Sequence, residues 1–367
     1  MSKHKRWYQT SFCALVLVAC TQPRPAPGPA ARPDTAPLAA GSAVPSNATM
    51  TPPEALPSVE AACQRFASAP VPQADFASDT ERTALKGCDA EASYYGIDMP
   101  IDRQRARQCA LGERRPGGSP AIVNPAVLMM IYANGFGAPA NYDLALGFAC
   151  QVGGAPAELG GRVSRLWAAR AGEKWSAPFD QCDDATSGVM TGYCADLQER
   201  IAVAARKARL RAAAAGLPPR EFAALQRAAQ RFFEARSTKE VDRSGSQAAS
   251  LVISERAQLE ESFVQALNQV REPVFRPAPG DAQALASELA RLLARIAACK
   301  DLKQTEQSLP GLVNSTGIRE TEQRWLAYRA AFVALALEAH PNTSAEIWIS
   351  WLTQPRLSQL KELATGC

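Results

Sequence analysis

Residues 93–110, SYYGIDMPIDRQRARQCA, and residues 132–149, YANGFGAPANYDLALGFA, share one pattern at an offset of 39 positions. The pattern is Gly-x₃-Pro-x-(Asp/Asn)-x₃-Ala-x₃-Ala. Its members are Gly96, Pro100, Asp102, Ala106 and Ala110 in the first copy, and Gly135, Pro139, Asn141, Ala145 and Ala149 in the second. Glycine ends one helix, proline blocks its continuation, and Asp or Asn caps the next, while alanines four residues apart form a flat helix face. Each copy therefore predicts two helices joined by a tight turn.

The sequence around the two copies is also typical of helices. The segment Pro125–Asn134 is apolar enough to form a buried helix, and Pro218-Pro219 marks a helix start. Helical periodicity dominates from Leu197 onward. We therefore expect an all-α fold built from antiparallel helical hairpins.

The C-terminal half contains a second duplication, at an offset of 93. Residues 229–236 read AQRFFEAR and residues 322–329 read EQRWLAYR. Trp325 and Arg329 lie four residues apart on one helix face, as do Phe232 and Arg236. We expect each ring to be buried, with its guanidinium over the ring or on a carboxylate of the following helix.

Two further local patterns support helices here. An apolar stripe of helical period predicts a buried face that comprises Ile318, Trp325, Leu326, Phe332 and Val333. Thr343-x-x-Glu346 predicts a capping box at the start of the last helix.

The N-terminus is typical of an exported protein. Lys3, Lys5 and Arg6 precede a short apolar run that is too short to span a bilayer. The run ends in Leu-Val-Ala-Cys20, which resembles the bacterial lipobox and implies a lipid anchor on Cys20. Thr21 after the cysteine favours the outer membrane. The alternative is an ordinary signal peptide in which Cys20 has no role.

Eight cysteines remain after Cys13 and Cys20, an even number that predicts a set of disulfides in an exported chain. Sequence allows many pairings. We favour Cys88–Cys109 within one hairpin, Cys182–Cys194 across a local loop, Cys299–Cys367 at the C-terminus and, by elimination, Cys63–Cys150.

Composition narrows the possible functions. With 47% hydrophobic and 21% charged residues the chain is expected to fold. Removing residues 1–19 leaves 37 basic and 36 acidic residues, with residues 20–195 at −3 and residues 196–367 at +4. Neither half has the charge of a nucleic-acid-binding surface. His4 and His340 are the only histidines, which excludes a histidine-rich metal site.

Acidic residues offer weak candidates for catalysis. Asp180, Asp183 and Asp184 form one cluster, but Thr186 or Ser187 just after it indicates a helix start, so capping is the favoured interpretation. A peptidoglycan-active enzyme would need a Glu general acid paired with an Asp. The glutamates considered for that role are Glu320, Glu322 and Glu346.

The first duplication resembles the Sel1-like repeat, a relative of the tetratricopeptide hairpin. The resemblance covers about residues 85–155 and rests on the Gly96, Asp102, Ala106, Gly135, Asn141 and Ala145 pattern. It implies a partner-binding or scaffolding role. Hairpins that only support the rest of the fold are the alternative.

The second duplication resembles the family named for the lysozyme inhibitor LprI, a former domain of unknown function. The matching residues are Gln323, Trp325, Tyr328, Arg329, Thr353, Arg356 and Leu360. The first copy is degenerate, with Phe232 and Ala235 in place of Trp325 and Tyr328, and the cysteine that usually follows the family's arginine is missing. The resemblance implies lysozyme binding and protection of peptidoglycan.

The expected organisation has five parts. They are a signal peptide (1–19), a Pro/Ala-rich tether (20–57), a Sel1-like domain (58–195), a degenerate LprI-like unit (196–275) and an LprI-like unit (276–367). We expect a non-enzymatic, disulfide-stapled protein without cofactor or metal, lipid-anchored in the envelope and facing the periplasm. It would bind a protein, with lysozyme as the named candidate. The alternatives are a scaffold that acts through the Sel1-like hairpins and a peptidoglycan-active enzyme.

Overall fold

The computed structural model describes residues 55–112, 123–272, 281–302 and 311–367. Within these ranges the chain forms helices and no strand, which confirms the all-α prediction. The signal segment 1–19, Cys20 and the tether up to residue 54 lie outside the described residues. Among the helices described, none combines the length and the apolar character that crossing a membrane requires.

The helices follow one another with short connections. In chain order they are α1 (Val59–Phe66), α2 (Asp79–Ala84), α3 (Ala90–Tyr95), α4 (Arg103–Gly112), α5 (Val123–Asn134), α6 (Tyr142–Ala149), α7 (Pro156–Arg170), α8 (Gly188–Ala214), α9 (Pro219–Lys239), α10 (Ala248–Arg271), α11 (Ala282–Ala298), α12 (Ser315–Ala339) and α13 (Ala345–Leu363). A 3₁₀ turn at Gln73–Asp75 lies between α1 and α2.

The first duplication forms helix ends where its pattern predicts them. Gly96 and Gly135 follow α3 and α5 in the left-handed conformation, at φ 77° and 69°. The side chain of Asp102 accepts a hydrogen bond from the first turn of α4, and that of Asn141 accepts one from the first turn of α6. The four patterned alanines of α4 and α6 are completely buried. In both copies the capping residue also donates its backbone N–H to the chain 9 residues earlier, at 2.9 Å.

The described helices pack around two main hydrophobic cores. One core lies among α1 and α3–α7, and the other among α9–α13 with the end of α8. The long helix α8 also packs along α10 and runs without a break through residue 195. Trp167 and Phe148 are central to the first core, and Phe332 and Trp348 to the second.

The structure forms the three disulfides that the spacing favoured and the fourth that elimination left. Cys63–Cys150 links α1 to the end of α6, and Cys88–Cys109 links the start of α3 to α4. Cys182–Cys194 fixes the entry to α8, and Cys299–Cys367 fixes the C-terminus to the end of α11. The pairs that close 87 and 68 residues remove the most freedom from the unfolded chain in a chain-entropy account.

The two helices of the second duplication pack against each other in opposite directions. Phe232 of α9 stacks on Tyr328 of α12, with 5.4 Å between ring centroids, and Lys239 further along α9 pairs with Glu320 earlier on α12. The two copies are therefore in direct contact at the centre of the second core.

Two local predictions are corrected by the structure. Leu326 is 41% exposed although the rest of its stripe is buried, because it borders an open groove between α11 and α12 that Leu293 and Ala297 also line. The last helix is capped by Ser344, whose hydroxyl accepts the N–H of Glu346, and not by Thr343. Thr343 instead accepts a hydrogen bond from the indole of Trp348.

Close packing of α1 on α6 yields a test of the first core. A Cβ on Gly147 would lie 2.6 Å from the Phe66 carbonyl oxygen, whereas one on Gly160 of α7 would meet nothing within 4 Å. Gly147→Ala is expected to lower the free energy of unfolding by about 1–3 kcal/mol through overpacking. Gly160→Ala is expected to raise it by up to about 1 kcal/mol through helix propensity. Thermal unfolding of the two variants measures both effects, and equal shifts would contradict the α1–α6 contact.

Candidate functional site

The residues that mark the LprI-like resemblance are mostly buried. Trp325, Tyr328 and Arg356 are between 1% and 8% exposed, and Gln323 is the exposed member of the α12 motif. The guanidinium of Arg329 lies over the Trp325 ring, 4.7 Å from its centroid, and donates to Thr353 on α13 at 3.2 Å. Most of the motif therefore holds α12 and α13 together and does not form an exposed surface.

A buried ion cluster lies beside this motif. Arg356 donates through both terminal nitrogens to Glu240 at 2.7 Å, and through Nε to Glu322 at 3.0 Å. All three side chains are buried. Burial raises the pKa of the Glu322 carboxyl above its usual 4.5, although the positive charge of Arg356 opposes that rise. The cluster joins α13 to α12 and to the end of α9.

In the first copy of the duplication, the arginine of the pattern is paired in a different way. Arg236 donates to Glu255 of the following helix at 2.5 Å, as one of the two expected geometries requires. Phe232, which replaces the tryptophan, lies under the guanidinium of Arg356 at 5.8 Å. Glu240 was missed in the sequence, because its partner Arg356 is 116 residues away.

The acidic cluster before α8 is held by partners within the chain. Asp180 accepts the hydroxyl of Tyr95 at 2.7 Å, and Asp183 and Asp184 both pair with Arg165. Ser187 caps α8, which confirms the helix start expected there. In the described part of the chain, no three His, Cys, Asp or Glu side chains are grouped to hold a metal ion.

The other candidate catalytic residues are placed as follows. Glu320 pairs with Lys239 at 2.5 Å, which lowers the pKa of its carboxyl, whereas a general acid needs a raised pKa. Glu346 lies in the first turn of α13. His340 stacks on Trp348 and hydrogen-bonds the carbonyl of Val270.

The most distinctive exposed feature is the loop of the first repeat, Asp98-Met99-Pro100-Ile101-Asp102, called here the 98–102 loop. All five residues are exposed, with Met99 at 40% and Ile101 at 56%. Asp98 has a φ of 55°, in the region that glycine normally occupies. Proline and the helix cap at Asp102 restrict the backbone. The loop therefore presents two large apolar side chains between two carboxylates on a restrained backbone.

The equivalent turn of the second repeat has smaller residues. Its equivalent residues are Gly137, Ala138, Pro139, Ala140 and Asn141. The first repeat covers the Gly137 end of this loop, since a Cβ on Gly137 would lie within 2.6 Å of two backbone atoms of Arg103, whereas Pro139 and Ala140 are exposed. Small residues suffice for the same turn in the second repeat, so the turn itself does not require the Met and Ile side chains. Met99 adds one local contact, since its sulfur accepts from the Ser93 hydroxyl at 3.6 Å.

In comparisons with known proteins, no family model, no curated protein and no solved structure matches this chain. The resemblances to Sel1-like repeats and to the LprI family therefore rest on the residues quoted above.

The buried cluster predicts a large and pH-dependent stability effect. Arg356→Leu removes the ion-pair partner of Glu322 and leaves Glu240 with Arg236 alone, at 3.6 Å, so it is expected to lower the free energy of unfolding by about 3–5 kcal/mol. As a control, Lys361→Met breaks the exposed ion pair with Glu288 and is expected to lower the free energy of unfolding by less than about 1 kcal/mol.

Urea unfolding over a range of pH measures these costs. Because the pKa of Glu322 is raised in the folded protein, its protonation favours the folded state. The loss of unfolding free energy in Arg356→Leu is therefore expected to become smaller as the pH falls toward the usual carboxyl pKa of about 4. If Arg356→Leu loses no more unfolding free energy than Lys361→Met, the buried cluster does not stabilise the packing of α9, α12 and α13.

Proposed function

We propose that the protein is a non-enzymatic lipoprotein of the cell envelope that binds a basic partner protein through the 98–102 loop. Lysozyme is the partner that the LprI-like resemblance implies, and its inhibition would protect peptidoglycan. The observation that carries the proposal is the pair of exposed apolar side chains, Met99 and Ile101, between two carboxylates.

The position of the loop in the repeat array supports docking of a partner. The start of α4 covers the Gly137 end of the second loop, whereas all five residues of the first loop are exposed. Large apolar side chains exposed together in one loop are typical of an interaction surface. Buried apolar anchors commonly supply most of the binding energy of an interface.

Charge supports a basic partner. Asp98 and Asp102 flank the apolar pair, and residues 20–195 carry a net charge of −3. Complementary charge speeds the encounter of two proteins and disfavours partners of the same sign. Lysozymes of the animal type are strongly basic, so the loop suits them better than the positively charged C-terminal half does.

The N-terminal sequence supports the location. A lipid anchor on Cys20 and a proline-rich tether would hold the folded part near the outer membrane, on its periplasmic side. Lysozyme reaches peptidoglycan in that compartment, so an anchored inhibitor would act where protection is needed.

A clearing assay tests the activity directly. The oxidised chain from residue 21, which keeps every described residue, is added to animal-type lysozyme acting on a bacterial cell suspension. Dose-dependent protection at near-stoichiometric amounts is expected. Absence of protection by the folded protein would contradict lysozyme as the partner.

A loop replacement tests the site. The variant Asp98→Gly, Met99→Ala, Ile101→Ala and Asp102→Asn gives the first loop the residues of the second repeat. It is expected to keep its thermal unfolding temperature, because the same turn already folds with these residues, and to bind lysozyme roughly tenfold or more weakly. Calorimetric titration measures the affinity.

The matched control removes exposed apolar side chains elsewhere. Leu56 and Val189 are 44% and 85% exposed and lie outside the loop. Leu56→Ala with Val189→Ala is expected to leave the affinity unchanged. If both variants weaken binding equally, the 98–102 loop is not the binding site.

A further inference from the structure

A second surface, of opposite charge, lies on the C-terminal half. It is a groove of about 630 Å³ between α9, α10 and α12, called here the arginine groove. Its lining comprises Arg227, Gln230, Arg231, Glu234, Ala235, Thr238, Lys239, Arg256, Glu320 and Arg324. Five basic and two acidic side chains give the groove a net charge of +3.

Both acidic residues of the groove are already neutralised. Glu234 accepts from Arg256 at 2.7 Å, and Glu320 accepts from Lys239 at 2.5 Å. In the part of the chain that the structure describes, three other arginines of the lining form no salt bridge with a carboxylate, although the charge of one, Arg324, acts on Glu320. They are Arg227, Arg231 and Arg324, and all three are exposed.

The three arginines concentrate positive charge on one face of the folded protein. Arg227 and Arg231 lie four residues apart on α9, where like charges destabilise a helix. Arg324 adds a third positive charge from α12, which packs against the same face of α9. A bound anion would relieve this repulsion, since it would accept hydrogen bonds from several guanidinium groups at once.

We propose that the arginine groove binds a ligand that carries more than one phosphate group. Guanidinium groups bind phosphate oxygens through two parallel hydrogen bonds, and several such groups match a multiply charged anion better than a single carboxylate. A volume of about 630 Å³ can hold a small phosphorylated molecule or the phosphate headgroups of neighbouring phospholipids. The proposal concerns a surface other than the 98–102 loop and does not depend on lysozyme binding.

Calorimetric titration of the oxidised chain from residue 21 with tripolyphosphate tests the site. Wild-type protein is expected to bind, and added salt is expected to weaken the binding, because the contacts are electrostatic. The variant Arg227→Ala, Arg231→Ala and Arg324→Ala is expected to bind roughly tenfold or more weakly, because it lacks three charge-assisted contacts. Its three side chains are exposed, so its fold is expected to be unchanged by circular dichroism.

A charge-matched variant is the control. Arg211→Ala, Arg220→Ala and Arg291→Ala removes three exposed positive charges outside the groove lining. It is expected to change the affinity by less than about twofold, because distant exposed charges are screened. No binding by the wild-type protein, or equal weakening in the two triple variants, would overturn the proposal.

Two further probes distinguish the chemistry and the source of the ligand. Citrate and poly-glutamate test whether carboxylates bind as tightly as tripolyphosphate, which would overturn the preference for phosphate. Phosphatidylcholine vesicles with and without phosphatidylglycerol test a membrane source. Binding to the anionic vesicles that is lost in the groove variant would assign the phosphates to lipid headgroups, and binding to tripolyphosphate alone would assign them to a soluble molecule.

Discussion

A buried guanidinium paired with a carboxylate from a distant segment constrains both cores of this protein. In the second core, Arg356 of α13 reaches Glu322 of α12 and Glu240 at the end of α9. In the first core, Arg107 of α4 pairs with buried Asp75 at 3.2 Å, and Asp75 also accepts the hydroxyl of Tyr132. Removal of either charge would leave its partner desolvated, so these pairs allow few alternative packings. The apolar contacts around them supply the bulk of the stabilisation.

This constraint explains why the residues of the two resemblances have structural roles. The alanines of the first duplication pack its helices. In the second duplication Arg329 links α12 to α13 over the Trp325 ring, and Arg236 links α9 to α10. Residues committed to a core cannot also present a variable binding surface. Function is therefore sought where side chains exceed what the fold needs, as in the 98–102 loop and the arginine groove.

The two proposed surfaces differ in charge and in origin. The loop is a local feature of one repeat, and its apolar side chains replace the alanines that serve the same turn in the second copy. The groove arises only when α9, α10 and α12 come together, and its unpaired arginines come from two of them. A protein with both surfaces could bind a basic protein at one and a phosphorylated ligand at the other.

Features that depend on neighbouring residues could be predicted from local sequence patterns. Helix ends at Gly96, Gly135, Asp102 and Asn141, the start of α9 at Pro219 and the all-α class all follow from local backbone preferences. The cysteine pairs were favoured from spacing among many possible pairings, and the structure forms the same four.

Contacts between residues far apart in the chain could not be predicted in this way. They include the pair of Glu240 with Arg356, the exposure of Leu326 beside a buried tryptophan, and the position of Arg227, Arg231 and Arg324 in one groove. The physical reason is that capping and periodicity act within a few residues, whereas charge pairing and exposure depend on how helices far apart in the chain are packed.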